Sequence, residues 1–353
     1  MKSILSSNQW KQDLEETIRS IPVIGQLAGK TVMITGATGL IGSAVTDLLI
    51  FYNESHDEKI RILSAGRNRE RTERRFGSYS QAPYFSFADY DAAAGRLNAS
   101  ERADYIIHCA SNAYPALIVK EPVETIACNI AGTAALLDYA AKNNSKRLLF
   151  VSSSEVYGKK EGADPFSETE YGWIDLLNHR NSYSVAKRAA ETLCVSYSEE
   201  YGVETVIARP GHIYGPTASL SDNRVSSMWA YDAARGKDIV MKSDGMQLRS
   251  YCYCLDCAAA ILTVLLLGET KEAYNISNCD SVVTIRQMAE MLASAADVKL
   301  IREKASDEEK KGFNPMSNSS LESSKLEALG WRGLYDAVTG FSHTVTALKE
   351  ILE

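Results

Sequence analysis

The chain has 353 residues, enough for one large α/β unit or for two closely joined domains around a sizeable core. Apolar residues make up 45% of the chain and charged residues 24%, which excludes the disordered class. The net charge of -7 comes from 38 basic and 45 acidic residues scattered along the chain, which argues against nucleic acid as a partner.

Residues 1–28 are predicted to form a helical extension. Trp10, Leu14, Ile18 and Ile21 recur at helical spacing, which indicates an amphipathic helix lying on the body of the protein. This segment lacks the apolar core of a signal peptide, and no other apolar run approaches the ~20 residues needed to cross a bilayer. We therefore expect a cytoplasmic protein with no membrane partner.

Short β-rich segments alternate with helical ones from Lys30 to about residue 210. The predicted strands are 30–36, 59–66, 103–111, 146–153 and 203–211, and the predicted helices are 43–53, 131–143 and 184–202. Strands separated by helices of this length indicate a parallel sheet covered on both faces. The predicted fold is therefore a Rossmann-type, doubly wound α/β fold.

A glycine-rich turn, ITGATGLIG, follows the first predicted strand and opens the first predicted helix of this alternating region. Gly36 permits a tight turn, Gly39 lets the backbone approach a pyrophosphate, and Gly42 lets the helix lie against the strand. Because a strand precedes this turn and a helix follows it, the segment predicts a dinucleotide-binding loop.

The end of the second predicted strand bears on the choice between NAD and NADP. An acidic residue there usually binds the ribose hydroxyls of NAD, but this chain has Arg67 and no acid before Glu70. An arginine there can bind the 2′-phosphate of NADP. A solvated basic loop explains the same residues, and both interpretations stay open.

The segment LLFVSSSEVYG ends a buried strand in Ser152, Ser153, Ser154 and Glu155. Such a strand opens into a polar pocket or ends at an ordinary junction where hydroxyls hydrogen-bond to free backbone groups.

Further along, RNSYSVAKR places Tyr183 and Lys187 four residues apart, on one face of a helix. A lysine ammonium near a phenol is expected to lower the pKa of that phenol, so this tyrosine could act as a base.

The remainder of the chain, 211–353, is predicted to form mainly a smaller substrate-binding lobe, with 237–262 returning to the Rossmann domain of 29–210. The segment 306–320 reads as a polar surface loop. Cys252, Cys254 and Cys257 are closely spaced, but no further ligand pair is evident, so we expect packing and no metal site. The odd count of seven cysteines fits reduced thiols.

Together, TGATGLIG, HCAS, CNIAGT, SSSEVYG, YSVAK and RPGHIYGP resemble the extended short-chain dehydrogenase/reductase family, which modifies nucleotide-linked sugars. The motifs fall in the order and spacing of that family, over nearly the whole chain after residue 28. The resemblance implies an enzyme with a tightly bound, recycled NAD or NADP that oxidises the sugar at C4 and later reduces it again. It also implies a homodimer.

The resemblance assigns site residues one by one. The catalytic set is Ser153, Ser154, Glu155, Tyr183 and Lys187. The cofactor-binding set is Gly36, Thr38, Gly39, Leu40, Ile41, Gly42, Arg67, Asp89, Ala110, Ser111, Asn129, Ser152, Tyr183, Lys187 and Arg209. The substrate-binding set is Arg180, His212, Arg224 and Arg249.

The pair Ser154 and Glu155 bears on the reaction that follows oxidation. TDP-glucose dehydratases carry Asp-Glu there, whereas Ser-Glu resembles UDP-glucuronate decarboxylases and also GDP-mannose dehydratases. The segments around Arg180, Arg224 and Arg249 favour the decarboxylases. His212 stands where relatives commonly have an asparagine, which leaves the exact substrate open.

A UDP-glucuronate decarboxylase is therefore the leading expectation. An NDP-sugar 4-epimerase and a 4,6-dehydratase stay open as alternatives of the same class. A catalytically silent NAD(P)-binding regulatory protein is an alternative of another class. Intact Ser153, Tyr183 and Lys187 speak against it, because a sensor needs no proton path.

Overall fold

An eight-stranded sheet forms the centre of the molecule, in a computed structural model that describes residues 2–160, 162, 164–304 and 318–353. The strands of the described residues, in chain order, are β1 (Thr31–Thr35), β2 (Arg61–Gly66), β3 (Phe85–Asp91), β4 (Arg96–Asn98), β5 (Tyr105–His108), β6 (Arg147–Val151), β7 (Thr205–Pro210), β8 (His212–Tyr214), β9 (Ile239–Met241), β10 (Leu248–Tyr253), β11 (Ala273–Ile276), β12 (Val282–Thr284), β13 (Leu300–Arg302) and β14 (Asn318–Ser319).

The order of strands in the large sheet is β11-β7-β6-β5-β1-β2-β3-β4, and every pairing except β3 with β4 is parallel. The chain reverses its direction of winding between β1 and β5. The carboxyl ends of these two neighbouring strands therefore leave a crevice, which is where open α/β sheets bind ligands. The predicted doubly wound fold is confirmed.

Helices cover both faces of this sheet. The described helices are α1 (Asn8–Arg19), α2 (Leu40–Ser55), α3 (Arg69–Phe76), α4 (Pro115–Lys120), α5 (Pro122–Asn143), α6 (Ser182–Tyr201), α7 (Val225–Ala234), α8 (Cys254–Leu267), α9 (Ile285–Ala296), α10 (Ser324–Glu327) and α11 (Ala337–Leu352). One core layer contains the buried faces of α2 and α8, and the other contains those of α5 and α6. Because both faces are buried, the central strands consist mainly of apolar residues.

The N-terminal extension forms the amphipathic helix expected from its spacing. Trp10 and Leu14 of α1 are fully buried in the core that also contains residues of α2, α8 and α11. The indole Nε1 of Trp10 donates to Oδ2 of Asp47, 3.0 Å away on α2. The extension is therefore part of the body of the protein and not a loose tail.

The chain after residue 210 differs from the expectation in two respects. The sheet does not end near residue 210, because β11 pairs in parallel with β7 and forms its edge. The return to the Rossmann unit consists of α8 and β11, whereas β9 and β10 pair with other strands of the smaller lobe. The division into a Rossmann domain and a substrate lobe stays a prediction, with the returning segment moved toward the C-terminus.

The predicted polar loop 306–320 lies mostly outside the described residues, which resume at Asn318.

Three closely spaced cysteines, Cys252, Cys254 and Cys257, are completely buried at the junction of β10 and α8, as expected for packing. Within the described ranges, no group of three or more His, Cys, Asp or Glu side chains could hold a metal ion. No helix of those ranges is long and apolar enough to span a membrane.

Candidate active site

The predicted glycine-rich loop connects β1 to α2 at the crevice of the sheet. Gly36 has a φ of +66°, and a Cβ there would lie 2.9 Å from the backbone nitrogen of Ala110. A Cβ on Gly42 would lie 2.3 Å from the carbonyl oxygen of Gly36. Both positions therefore require glycine, the first for its left-handed backbone and both for close approach.

Gly39 is the N-cap of α2 and has no side chain to cap the helix. The first backbone N–H groups of α2 are consequently available to an anion, where the helix dipole favours negative charge. Of the predicted neighbours, Thr38 lies in the turn, while Leu40 and Ile41 begin the helix. This loop fits the pyrophosphate of a dinucleotide.

A second group of predicted cofactor residues follows β5. Ala110 and Ser111 follow this strand after Cys109, and the backbone nitrogen of Ala110 donates to Oγ1 of Thr35 at 3.1 Å. The hydroxyl of Ser111 donates to Oδ1 of Asn129, 3.1 Å away on α5. Asn129 is fully buried, so the structure brings these residues together beside the loop.

The predicted adenosine end of the site lies at β2 and β3. Gly66 pairs with Asp89 where β2 lies against β3, and Arg67 is the first residue after β2. Arg67 is exposed. Burial raises the pKa of the Cys128 thiol on α5, and the positive charge of Arg67 is one of the smaller influences that oppose this rise. Asp89 lies 3.8 Å from Arg96 and is half-exposed. Both side chains are accessible at the edge of the crevice.

Arg209 is a correction to the predicted cofactor set. Its Nε and Nη2 donate to Glu191 at 2.9 and 2.6 Å, and its Nη1 donates to Tyr157 and to the carbonyl of Glu168. The remaining Nη2 donor goes to the hydroxyl of Tyr171 at 3.2 Å. A guanidinium has five N–H donors, and all are used inside the protein. Arg209 therefore stabilises the core and has no donor left for a cofactor.

Tyr183 and Lys187 both face the end of β6, as their spacing on α6 predicts. The ammonium of Lys187 donates to the carbonyl of Val151 at 2.7 Å and lies 5.6 Å from the centre of the Tyr183 ring. Burial lowers the pKa of Lys187 to about 8. Ser153, which follows β6, hydrogen-bonds to Tyr183. The structure thus joins the three predicted residues in one group.

The pKa of Tyr183 shifts in the direction opposite to the one expected from the sequence. Burial of the phenol raises its pKa, and the negative charge of Glu155 raises it further. The hydrogen bond from Ser153 and the charge of Arg224 act to lower it but are outweighed. The sequence spacing could not show how deeply this ring is buried.

The other serines of the SSSE segment have different environments. Ser152 is buried, and its hydroxyl is without a hydrogen-bond partner among the described residues. An orphaned buried hydroxyl costs free energy, so this side chain fits a role in holding a ligand. Ser154 is also buried and begins a 3₁₀ helix that runs to Tyr157.

Glu155 lies on that 3₁₀ helix and faces the start of α6. The hydroxyl of Ser184 donates to Oε2 of Glu155 at 3.0 Å, and Nη1 of Arg180 lies 3.6 Å from the same oxygen. Arg180 thus contacts the predicted catalytic carboxylate. Ser184 was missed by the sequence reasoning, although it stands inside the YSVAK segment directly after Tyr183.

Arg224 lies close enough to the candidate base for its charge to affect the pKa of Tyr183. It is held by Asp222, whose Oδ1 and Oδ2 both accept from its Nε at 3.0 Å. Asp222 is buried and also accepts from Ser227 at 3.0 Å. This buried carboxylate, not singled out in the sequence, fixes the orientation of Arg224.

His212 and Arg249 come together where β8 pairs with β10. Burial and the charges of Arg249 and Arg224 lower the pKa of His212 to about 3, so this ring is neutral at pH 7. Its Nδ1 is buried and has no hydrogen-bond partner among the described residues. Arg224 and Arg249 therefore lie near His212, and Arg224 also lies near Tyr183.

The residues of this crevice fit a dinucleotide cofactor. The glycine loop and the uncapped N-terminus of α2 would hold its pyrophosphate, while Ser111, Asn129, Ser152, Tyr183 and Lys187 surround the crevice that leads to Glu155. NAD(P), when bound, supplies a reversible oxidation of the substrate.

Comparisons with known proteins agree with this geometry. The model of the NAD dependent epimerase/dehydratase family matches residues 32–277. UDP-glucuronic acid decarboxylase 6 of Arabidopsis thaliana is 28% identical over 303 residues, which are 85% of this chain and 83% of that protein.

Solved structures share the fold. UDP-glucose 4-epimerase of Thermotoga maritima, solved with UDP-glucose, has a TM-score of 0.76 at 24% identity, covering 92% of this chain and 100% of that one. The dTDP-glucose 4,6-dehydratase of Bacillus anthracis, solved with NAD, has a TM-score of 0.74 at 19% identity, covering 91% of this chain and 97% of that one.

Proposed function

Because the chain belongs to the NAD dependent epimerase/dehydratase family, we propose that it removes CO2 from UDP-glucuronate and releases a UDP-linked pentose. It is an NAD(P)-dependent nucleotide-sugar enzyme. The similarity to a UDP-glucuronic acid decarboxylase over 85% of the chain supports this substrate. The observation that carries the proposal is a carboxylate, Glu155, beside Tyr183 in a site faced by several arginines.

Tyr183 is the proposed base for the hydroxyl at C4, with Ser153 hydrogen-bonding to the same oxygen. Because burial and the charge of Glu155 raise the pKa of the phenol, this role requires the positive charges of Lys187 and of an oxidised dinucleotide to stabilise the phenolate. Lys187 holds this end of the site through its bond to Val151 and places a positive charge beneath the ring. That charge is suited to orienting the ribose of the cofactor. Burial excludes water from Tyr183, which strengthens each of these polar contacts.

Once C4 is a ketone, the substrate is a β-keto acid and loses CO2 readily. The enolate that remains needs a proton at C5. Glu155 is the proposed group for this transfer, directly or through a water that it holds. Ser154 is a poor acid compared with an aspartic acid, so elimination of the C6 hydroxyl is less well supported than decarboxylation.

The arginines explain why a nucleotide-linked acid would bind. Arg224, fixed by Asp222 near Tyr183, and Arg249, buried near His212, are the groups proposed to bind the diphosphate or the sugar carboxylate. A guanidinium can bind two oxygens at once. Arg180 is the third cation, and it lies at Glu155, where the reacting end of the sugar would be.

The test is to incubate the purified protein with UDP-, GDP- and TDP-linked sugars and to measure the product masses. Loss of CO2 from UDP-glucuronate is the expected result. Loss of water would instead assign a 4,6-dehydratase, and a product of unchanged mass with altered ring stereochemistry would assign a 4-epimerase. Either of these outcomes, with UDP-glucuronate left intact, contradicts the proposal.

We further propose that Arg67 binds the 2′-phosphate of NADP and that the protein works in the cytoplasm. The exposed side chain of Arg67, directly after β2, supports the first proposal. The second is supported by the free thiol state of all seven cysteines, which suits a reducing compartment.

A homodimer is also proposed, through the outer face of α5. Val123, Ile126 and Ile130 lie on one side of this helix, and the side chain of Val123 is 71% exposed. An exposed apolar stripe at helical spacing is typical of a surface that another chain covers.

A further inference from the structure

The carboxylate of Glu155 is held by a side chain that comes from the same helix turn as the candidate base. Ser184 is 5% exposed, and its hydroxyl donates to Oε2 of Glu155 at 3.0 Å. Arg180 lies 3.6 Å from that same oxygen, beyond hydrogen-bonding distance. No described residue makes a hydrogen bond to Oε1, so this oxygen is the one that a substrate can use.

The hydroxyl of Ser184 had an alternative partner in the backbone of its own helix. A serine in the first turn of a helix commonly bonds to nearby backbone groups. Among the described residues, the hydroxyl of Ser184 makes no such bond, and it reaches a residue 29 positions earlier in the chain. Because Ser184 directly follows Tyr183 on α6, the helix fixes the base and the carboxylate relative to each other.

Arg180 and Ser184 hold the carboxylate in different ways. The side chain of Arg180 is 32% exposed, so it can leave Glu155 when an anionic sugar enters. Ser184 is buried and has a short side chain, so its hydroxyl cannot move away from Glu155 as the Arg180 side chain can. The hydrogen bond from Ser184 is therefore the contact with Glu155 that an entering substrate is less able to displace.

We infer that Ser184 is a positioning residue, which holds Oε2 of Glu155 so that Oε1 faces the reacting carbons of the sugar. The inference rests on the proposed function for the role of Glu155, but the contact between the two side chains does not depend on it. Ser184 itself touches no reacting atom in this scheme.

The kinetic test compares Ser184→Ala with Ser184→Thr, which keeps the hydroxyl, and with Ser196→Ala, a matched control on the exposed side of α6. We expect Ser184→Ala to lower kcat about ten- to hundred-fold with little change in KM, since one hydrogen bond to a charged group is lost. Ser184→Thr should recover most of the loss, and Ser196→Ala should behave as the wild type.

A second comparison places Ser184→Ala in a Glu155→Gln background. If Ser184 acts through the carboxylate of Glu155, Ser184→Ala should cause no further loss of kcat in the Glu155→Gln background. An unchanged kcat in Ser184→Ala alone, or the same fold loss in both backgrounds, would overturn the inference.

Crystal structures of the wild type and of Ser184→Ala give a readout that does not depend on the substrate. We expect the Glu155 carboxylate to rotate away from α6 in the variant. A carboxylate that stays in place overturns the inference even if the protein decarboxylates UDP-glucuronate. Conversely, a wild type that is inactive on UDP-glucuronate, together with a displaced carboxylate, contradicts the proposed function and supports the inference.

Discussion

The phenol of Tyr183 is the group on which the proposed proton transfer depends. We expect Tyr183→Phe to lower turnover by about a hundred-fold or more, because general base catalysis contributes on that order. The cofactor should stay bound, since the glycine loop and Lys187 are unchanged. Turnover and the absorbance of the bound cofactor are measured on one sample.

The matched control for this change is Tyr197→Phe. Tyr197 lies on the same helix, but its hydroxyl donates to Asp138 on the surface at 2.8 Å. If both variants keep full turnover, Tyr183 is not the base. If Tyr183→Phe loses the cofactor, its effect on turnover has another origin.

Arg67 determines the preferred dinucleotide in the present proposal. Arg67→Ala is expected to weaken NADP binding about ten-fold or more, because a charge-assisted contact to phosphate is lost, and to leave NAD binding unchanged. Titration calorimetry with both cofactors checks this. Arg71→Ala, an exposed arginine on α3, is the control. A wild type that prefers NAD would refute the phosphate contact.

Single residues were predictable where a motif fixes the local geometry. Ser153, Tyr183 and Lys187 come together as their motifs indicate. Arg209 did not follow the prediction, because its partners lie on other elements and use all its donors. Ser184 was missed for the same reason: its partner is 29 positions away, and no local pattern reveals it.

The N-terminal helix and the last helix are joined by an ion pair with a defined pH dependence. Nδ1 of His343 on α11 lies 2.9 Å from Oδ1 of Asp13 on α1. The contact with Asp13, aided by the charge of Glu16, raises the pKa of His343 above its ordinary 6.5. The contribution of this ion pair to the free energy of unfolding is therefore fully present below pH 6.5, the ordinary pKa of histidine. It is lost as the pH rises through the raised pKa of His343.

We expect His343→Ala to lower the free energy of unfolding by about 1 to 2 kcal/mol near pH 6 and by less near pH 8. Urea denaturation of wild type and variant at both pH values measures this difference. His179→Ala, an exposed histidine, should show no such pH dependence. An equal loss at both pH values would mean that packing against Tyr335, and not charge, joins the two helices.

The central elements were predictable and the peripheral strands were not. Strands β1, β5 and β6 are buried on both faces, so they form continuous apolar runs that stand out in the sequence. Strand β3 alternates between buried and partly exposed residues near the edge of the sheet. The strand β11 has four residues, and its pairing with β7 bridges a long stretch of chain, so local pattern alone does not indicate it.

At the scale of the whole molecule, the exposed stripe on α5 predicts a dimer. We expect the wild type to run as a dimer in light scattering coupled to gel filtration, and Val123→Glu with Ile126→Glu to run as a monomer, because buried charges are not tolerated in such an interface. Val338→Glu, an exposed position on α11, is the control. A monomeric wild type would contradict the proposed assembly.

The whole-molecule architecture follows from the alternation of strands and helices, but the identity of the substrate does not. Relatives of this chain include epimerases, dehydratases and decarboxylases, and in the present proposal a few side chains around Glu155 select among these reactions. Arg180 and Arg224 come from distant segments, so only the folded chain shows that one contacts Glu155 and the other lies near Tyr183.

UDP-glucuronate labelled with ¹³C at C6 tests the proposed decarboxylation most directly. Incubated with the wild-type protein and its cofactor and followed by NMR, the label should leave the sugar and appear as CO2 and bicarbonate while a UDP-pentose accumulates. A label that stays on a six-carbon sugar, whether unreacted or converted to another product, would contradict decarboxylation as the function of this protein.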